Sequence, residues 1–220
     1  MNRAELARLL DHSVLKPEAT AADVDAGAAT VRAWNIGFYC VQPCWVRMAV
    51  AALAGSGARV VTVVGFPHGC DRAEAKALAA ALAVADGAAE VDMVQNLGAL
   101  KSGHATVVAA EIEAVVRAVP GIPVKVILET AALTGPEKEL ASRLAGDAGA
   151  AFVKTSTGFH PAGGATAADV RLLRAAVGLA MGVKASGGIR TLADAVTMID
   201  AGASRVGTSA SAAILEALPR

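Results

Sequence analysis

The chain alternates short apolar segments with longer amphipathic ones, and it does so eight times within 220 residues. The apolar segments are rich in β-branched or aromatic residues and lie near Gly or Pro, which is typical of buried strands. The predicted strands cover residues 9–15, 36–42, 59–66, 89–96, 124–130, 151–157, 182–187 and 204–209. Helical patterns separate them, as at 71–87, 104–119 and 191–202. There we predict Asp71 and Thr191 as N-caps and Gly87 and Gly202 as helix ends.

A strand followed by a helix in every 25 to 30 residues, roughly, is the pattern of a (β/α)8 barrel, or TIM barrel. The composition agrees, because 55% of the residues are hydrophobic and the chain is long enough for one domain with a large core. We therefore predict an α/β fold in which residues 1–220 form a single (β/α)8 barrel catalytic domain. A doubly wound open sheet is the alternative, but it normally carries a G-x-G-x-x-G turn after its first strand, and this sequence has none.

Charge balance and the lack of sorting signals limit the partners of the protein. Lys and Arg total 20 and so do Asp and Glu, so no net field attracts nucleic acid or a membrane surface. The first residues carry charges where a signal peptide needs an apolar core, and no apolar run approaches the roughly 18 residues of a membrane span. Three cysteines without a C-x-x-C motif fit a reducing compartment. We expect a cytoplasmic protein that binds a small molecule.

Four histidines are scattered along the chain, with no H-E-x-x-H motif and no paired Cys and His spacing. The sequence therefore predicts no dedicated metal site.

Three of the seven lysines, Lys125, Lys154 and Lys184, interrupt predicted strands, although charged residues are rarely buried without a partner. In barrel enzymes the active site lies at the C-terminal strand ends. A lysine amine attacks a carbonyl only when neutral, and the ordinary lysine pKa near 10.4 must fall toward 7 for that. Burial and a second cation nearby both favour the neutral amine. Lys154 and Lys184, on adjacent predicted strands, form such a pair, whereas for Lys125 we favour a structural ion pair with Glu129 or Glu90.

The remaining candidates come from strand phase and from turn composition. Asp92 has the phase of an inward side chain and is a candidate proton shuttle for Schiff-base chemistry, although a structural pairing with a barrel lysine explains it equally well. The last two strands end in Gly, Ser and Thr turns that lead into helices, where backbone N–H groups converge on an anion. The candidate phosphate contacts there are Gly187, Gly188, Gly207 and Ser209, with Arg190 as a source of positive charge.

Nine segments occur in order along nearly the whole chain, and together they resemble the 2-deoxyribose-5-phosphate aldolases. They are DHSVLKPEAT, FYCVQPCWV, VVTVVGFPHG, AEVDMVQNLG, VKVILET, FVKTSTGF, GGAT, VKASGGIRT and GASRVGTSA. The resemblance implies a class I aldolase that uses a lysine Schiff base and neither metal nor organic cofactor. Such an enzyme reversibly cleaves 2-deoxy-D-ribose 5-phosphate to D-glyceraldehyde 3-phosphate and acetaldehyde, a step in deoxyribose phosphate catabolism.

The resemblance also implies roles for individual residues. Lys154 corresponds to the Schiff-base nucleophile, Lys184 to the second lysine that favours the neutral amine, and Asp92 to the proton-relay acid/base. The positions that match the family's substrate contacts are Gly158, Gly187, Gly188, Gly207 and Ser209 for the phosphate, and Asp11, Ser13 and Cys40 for the sugar end of the pocket. The loop 158–164 departs from the pattern, since Phe159 stands where some members have a phosphate-binding lysine.

Three other functions stay open from the sequence. A different Schiff-base barrel lyase would keep Lys154 but act on another phosphorylated sugar. A metal-dependent aldolase would need clustered ligands, which the scattered histidines do not supply. A non-catalytic sugar-phosphate sensor would keep the phosphate turns without needing Lys154 or Asp92. The alanine-rich helix faces are compatible with a homodimer or a higher homo-oligomer.

Overall fold

The computed structural model describes residues 1–218, in which eight parallel strands pair in chain order and close into a barrel. The strands are β1 (Leu10–Val14), β2 (Phe38–Val41), β3 (Arg59–Val64), β4 (Glu90–Val94), β5 (Val124–Ile127), β6 (Phe152–Lys154), β7 (Gly182–Ser186) and β8 (Arg205–Thr208). The last strand also pairs with the first. The prediction of a (β/α)8 barrel is confirmed, and the open sheet is excluded.

Helices connect the strands on the outside of the barrel. Within the described chain they are α1 (Arg3–Leu9), α2 (Ala21–Trp34), α3 (Val46–Ala52), α4 (Ala73–Ala85), α5 (Leu97–Lys101), α6 (Ala105–Ala118), α7 (Gly135–Asp147), α8 (Ala167–Val177), α9 (Leu192–Asp200) and α10 (Ser211–Glu216), with 3-10 turns at Pro43–Trp45 and Thr130–Ala132. Among these helices, none combines the length and the apolar character that crossing a membrane requires.

The helix ends largely follow the signals in the sequence. Thr191 caps α9, because its hydroxyl accepts a hydrogen bond from the backbone N–H of Asp194 at 3.1 Å. Gly87 and Gly202 follow α4 and α9 with φ of 105° and 111°, a region that favours glycine. The predicted N-cap Asp71 is wrong, since α4 begins one residue later, after Arg72, whose side chain makes no capping bond.

The observed strands are shorter than the predicted ones, and the C-terminal ends of β5 and β6 differ most, by three residues each. The predicted segments 124–130 and 151–157 leave the sheet after Ile127 and Lys154. Glu129 has a φ of 56°, which no strand residue adopts. Residues beyond the strand ends are still buried, and this is why their composition imitates a longer strand.

The barrel wall separates two buried environments. Side chains that point outward from the strands, such as Val91, Val126 and Val183, join the apolar core beneath the helices. Inside the barrel, on the side of β2 and β3, Phe38, Cys40, Val61 and Val63 form a small apolar cluster.

The other side of the barrel interior is charged. The parallel register places Asp92 of β4 beside Lys125 of β5, and Lys154 of β6 beside Lys184 of β7. Because side chains alternate along a strand, partners in register point to the same side of the sheet. The fold thus concentrates buried charges between β4 and β8.

Candidate active site

A cavity of about 750 Å³ opens at the C-terminal ends of the barrel strands. Ten of the eleven predicted site residues line it: Asp11, Ser13, Cys40, Lys154, Gly158, Lys184, Gly187, Gly188, Gly207 and Ser209. Arg190 lines it as well. The position agrees with the general location of active sites in barrels.

The two lysines of the predicted pair share one carboxylate oxygen. Lys154 Nζ donates a hydrogen bond to Asp92 Oδ2 at 2.9 Å, and Lys184 Nζ donates to the same atom at 2.7 Å. Lys184 Nζ also binds Asp11 Oδ2. The two amines are therefore no farther apart than two hydrogen bonds laid end to end, and both side chains reach the cavity.

Asp92 is the one predicted site residue that does not line the cavity. It is fully buried, and its second oxygen, Oδ1, accepts a hydrogen bond from Lys125 Nζ at 2.8 Å. Burial by itself would raise the pKa of Asp92, but the charges of Lys125, Lys154 and Lys184 outweigh burial and hold the pKa well below its usual range. Asp92 is thus an ionised carboxylate beneath the two cavity lysines.

Lys184 keeps its positive charge beside Lys154. Burial opposes that charge, but the carboxylates of Asp11 and Asp92 outweigh it and raise the pKa of Lys184 above its ordinary value. A fixed cation next to an amine favours the neutral form of that amine.

Lys125 lies in the layer beneath the cavity and is a structural partner. Its Nζ contacts Glu90 Oε2 at 2.6 Å and Asp92 Oδ1 at 2.8 Å, and Arg205 contacts the same Glu90 oxygen at 3.3 Å. Of the two predicted partners of Lys125, Glu90 is therefore correct and Glu129 is wrong. Glu129 lies past the end of β5, where strand alternation no longer applies.

Seven buried charged side chains form the ion pairs of the barrel interior. The cations are Lys125, Lys154, Lys184 and Arg205, and the carboxylates are Asp11, Glu90 and Asp92. Lys154 takes part in one ion pair, whereas Lys125 and Lys184 take part in two each. Among these three lysines, Lys154 is therefore held by the fewest ion pairs.

The sugar-end candidates lie on the floor of the cavity beside the lysines. Asp11 has its second oxygen, Oδ1, without a hydrogen-bond partner among residues 1–218. Burial raises the pKa of the Cys40 thiol to about 12, so that Cys40 is a neutral group at physiological pH. Ser13 is half-buried and follows Asp11 by two residues in β1, so that the two side chains share a face of the strand. These side chains offer a carboxylate oxygen, a thiol and a hydroxyl to a bound molecule.

Glycine turns from the loops after β6 and β7 meet at the rim. Gly158, Gly187 and Gly188 have φ of 86°, 86° and 81°. A Cβ on Gly164 would lie 2.2 Å from the carbonyl oxygen of Gly187, so that the two loops pack backbone to backbone. Gly207 leaves room for Lys184, since a Cβ there would come within 3.0 Å of Lys184 Cε.

Phe159 occupies the edge of the same cavity. Its ring is partly exposed and packs edge-on against Phe66, with the ring centroids 5.3 Å apart. An apolar ring therefore lies at this edge of the cavity, and Arg190 is a cavity cation from the loop after β7.

The polar residues of the cavity that sequence reasoning missed include His12 and Thr157. His12 Nδ1 lies 2.7 Å from Ser211 Oγ, and burial lowers the pKa of His12. Thr157 is buried and bonded to Glu129. Thr157 follows Lys154 by three residues, so a strand continued to 157 would point it away from the barrel; only the early end of β6 brings it to the cavity. Among residues 1–218, no three His, Cys, Asp or Glu side chains come together as a metal site.

Comparison with known proteins gives consistent matches. The sequence model of the DeoC/LacD family aldolases matches residues 6–216. A deoxyribose-phosphate aldolase of Mycobacterium ulcerans is 53% identical over 220 residues, covering 98% of this chain and 96% of the relative. Deoxyribose-phosphate aldolase 1 of Bacillus licheniformis is 48% identical, covering 97% of this chain and 96% of the relative.

A solved structure extends the likeness to three dimensions. The deoxyribose phosphate aldolase of Aeropyrum pernix, described as a tetramer, superposes with a TM-score of 0.89 at 33% identity. The superposition covers 97% of this chain and 91% of that chain.

Proposed function

The chain belongs to the DeoC/LacD family of aldolases, and from this premise we propose that it is a deoxyribose-phosphate aldolase that works through an imine on Lys154. The reaction is the reversible cleavage of 2-deoxy-D-ribose 5-phosphate to D-glyceraldehyde 3-phosphate and acetaldehyde. The observation that carries this proposal is the pair of buried lysines that share Asp92 at the floor of the cavity.

Imine formation begins with the neutral amine of Lys154. Its nitrogen adds to the C1 carbonyl of the open-chain sugar. The resulting carbinolamine takes back the proton that the Lys154 ammonium gave up and loses water to give the protonated imine. The positive charge of Lys184 next to this amine favours the neutral form. The imine then carries the positive charge that the Lys154 ammonium had, which restores the ion pair with Asp92.

Bond cleavage follows from the electron demand of the protonated imine. The C3 hydroxyl loses its proton, the C2–C3 bond breaks, and its electron pair moves into an enamine on Lys154, releasing D-glyceraldehyde 3-phosphate. Protonation of the enamine at C2 and addition of water then release acetaldehyde and the free lysine. Asp92 does not reach the cavity, so we assign it to hold and return protons through the amines of Lys154 and Lys184.

The rest of the cavity fits the rest of the substrate. The glycine turns with Gly158, Gly187 and Gly188, the end of β8 with Gly207 and Ser209, and the guanidinium of Arg190 surround the end proposed for the phosphate. Asp11, Ser13 and Cys40 line the proposed sugar end. Backbone N–H groups in such turns are effective anion ligands.

The proposal extends to the organisation of the protein. We assign the whole chain, 1–220, to one catalytic domain that needs neither metal nor organic cofactor and acts in the cytoplasm on small phosphorylated sugars, not on nucleic acid or membranes. The tetramer described for the Aeropyrum pernix aldolase supports a homo-oligomeric state.

A coupled assay tests the activity and its specificity. Incubation of the protein with 2-deoxyribose 5-phosphate should release acetaldehyde and glyceraldehyde 3-phosphate in equal amounts, and EDTA should leave the rate unchanged. A panel of other phosphorylated sugars serves as the control for a different Schiff-base lyase. Faster release of another aldehyde from one of them, or inhibition by EDTA, would contradict the proposal, and binding of the sugar without turnover would favour a sensor.

A further inference from the structure

Glu129 is a buried carboxylate that the proposed mechanism does not use. It is 1% exposed, and none of the ion pairs among residues 1–218 includes it. Its φ of 56° is unusual for a residue with a long side chain, and such backbone conformations persist where the surroundings hold them. A buried charge without an ion pair and an uncommon backbone conformation at the same residue indicate a specific task.

The partner of Glu129 is Thr157, in the loop after the nucleophile strand. The backbone N–H of Thr157 donates to Glu129 Oε1 at 3.1 Å, and its hydroxyl donates to Glu129 Oε2 at 2.5 Å. The hydroxyl oxygen in turn accepts a hydrogen bond from the backbone N–H of Phe159 at 3.1 Å. Glu129 therefore fixes both the backbone and the side chain of Thr157.

These contacts leave the Thr157 hydroxyl able to accept one further hydrogen bond but not to donate one. A hydroxyl has one proton to donate and two lone pairs that accept. The proton points to Glu129, and one lone pair is taken by Phe159, so the second lone pair is what Thr157 offers to the cavity that it lines. Such a group accepts a hydrogen bond from a substrate hydroxyl and cannot donate one to it.

The loop depends on this anchor because the strand ladder stops before it. Strand β6 ends at Lys154, three residues before Thr157. On the side of β7, the Thr155 hydroxyl donates to the backbone carbonyl of Ser186 at 3.1 Å and accepts from the backbone N–H of Ser186 at 3.0 Å. On the side of β5, Glu129 supplies the corresponding side-chain anchor.

We propose that Glu129 is a positioning residue that orients Thr157 as a hydrogen-bond acceptor for a hydroxyl of the sugar substrate. The inference rests on the proposed aldolase function and adds a specificity determinant to it. Acetaldehyde has no hydroxyl, so its imine with Lys154 should not depend on Glu129. The phosphorylated sugar has hydroxyls, so its binding should.

The test compares the two ligands in matched variants. In Glu129→Gln the amide can donate to the Thr157 oxygen and release the hydroxyl proton, and in Thr157→Val the hydroxyl is absent. For both, we expect KM for 2-deoxyribose 5-phosphate to rise about tenfold with kcat changed less than about threefold, the scale of one hydrogen bond. The double variant should show no further rise, and Thr157→Ser should restore a KM near that of the unchanged chain.

Borohydride trapping with acetaldehyde distinguishes a positioning role of Glu129 from a merely structural one, because a structural defect would impair imine formation and sugar turnover together. The adduct on Lys154 should form at the unchanged rate in Glu129→Gln, and Glu139→Gln, an exposed residue of α7, serves as the control. An unchanged KM in both Glu129→Gln and Thr157→Val, or an equal loss of trapping and sugar turnover, would overturn the inference. If Glu129→Gln does not fold, Thr157→Val alone decides. No adduct in the unchanged chain would instead overturn the proposed function, and the inference with it.

Discussion

Two lysines of this protein are buried to almost the same degree but have different surroundings. Lys76 of α4 is 1% exposed and lies outside the barrel against Glu111 of α6, and Lys154 is 2% exposed and lies inside the barrel. The Lys76 amine donates to the carbonyls of Gly69 at 2.7 Å and Val94 at 2.8 Å and to Glu111. All three of its hydrogens are therefore used.

Lys154 has one such bond, to Asp92, and its remaining sides face the cavity. The number of bonds therefore separates the two buried lysines more clearly than burial does. An amine whose three hydrogens are all bonded to protein acceptors cannot approach a carbonyl, whereas an amine with one acceptor that lines a cavity can. We infer that incomplete hydrogen bonding, together with a neighbouring cation, distinguishes the nucleophile in this fold.

The carboxylates that bind these two lysines also have pKa values that are shifted in opposite directions. Burial raises the pKa of Glu111 and outweighs its bond to Lys76, whereas three ammonium groups hold the pKa of Asp92 well below its usual range. The number of cations around each carboxylate accounts for the difference.

The largest effect should come from removing the proposed nucleophile. Lys154→Leu should abolish imine formation and lower turnover by at least about 10⁴-fold, because no other amine occupies the position that attacks the carbonyl. Steady-state turnover and borohydride trapping measure both effects. An imine that persists in Lys154→Leu would show that the comparison selects the wrong lysine.

Removal of the amine of Lys76 should reduce the stability of the protein and leave its imine chemistry intact. Lys76→Met leaves Glu111 and two buried carbonyls without their donor, and we expect a loss of about 3–5 kcal/mol in the free energy of unfolding, as for broken buried ion pairs. Denaturant unfolding measures the free energy of unfolding, and borohydride trapping of the folded protein with acetaldehyde measures imine formation. A folded Lys76→Met variant that forms no acetaldehyde adduct would contradict the distinction between Lys76 and Lys154.

Asp92→Asn should slow turnover without preventing binding. The variant keeps the shape of the side chain but cannot take up a proton as a carboxylate does, and we expect kcat to fall about 10²-fold or more, the usual scale for an acid/base group. Saturation kinetics with 2-deoxyribose 5-phosphate separate kcat from KM. Normal turnover would show that Asp92 serves only as a counterion of the lysines.

The two carboxylates should give pH dependences of stability with opposite sign. Asp92, whose pKa is lowered on folding, contributes stability that is present above its ordinary value of 3.8 and is lost as pH falls through the folded pKa. Glu111, whose pKa is raised, contributes stability that is present below 4.5 and is lost as pH rises through the folded pKa.

Unfolding free energies measured between acid and neutral pH can separate the two contributions. Compared with the unchanged chain, Asp92→Asn should lose less unfolding free energy as the pH is lowered. Glu111→Gln should lose less unfolding free energy as the pH rises above 4.5. The same direction of change in both variants would contradict the assignment of the two pKa shifts.

Much of the barrel follows from the sequence because it depends on local periodicity. Alternation of strand and helix predicts the fold, and strand order then predicts that Lys154 and Lys184 are neighbours. The helix lysine Lys76 looks like any surface lysine, since its burial arises only when α4 and α6 pack together.

The part of the site that the sequence does not predict lies where periodicity ends. Glu129 and Thr157 follow strands that stop earlier than their composition indicates, so that strand phase assigns their side chains to the wrong directions. Asp92 has the predicted phase, but its position beneath the cavity depends on the three lysines around it.

The most direct measurement is borohydride reduction of the protein in the presence of acetaldehyde, followed by mass spectrometry of the intact chain and of its peptides. Our interpretation predicts a single ethyl adduct, located on Lys154, with Lys76, Lys125 and Lys184 unmodified. No adduct, or an adduct on any of those three lysines in place of Lys154, would contradict it.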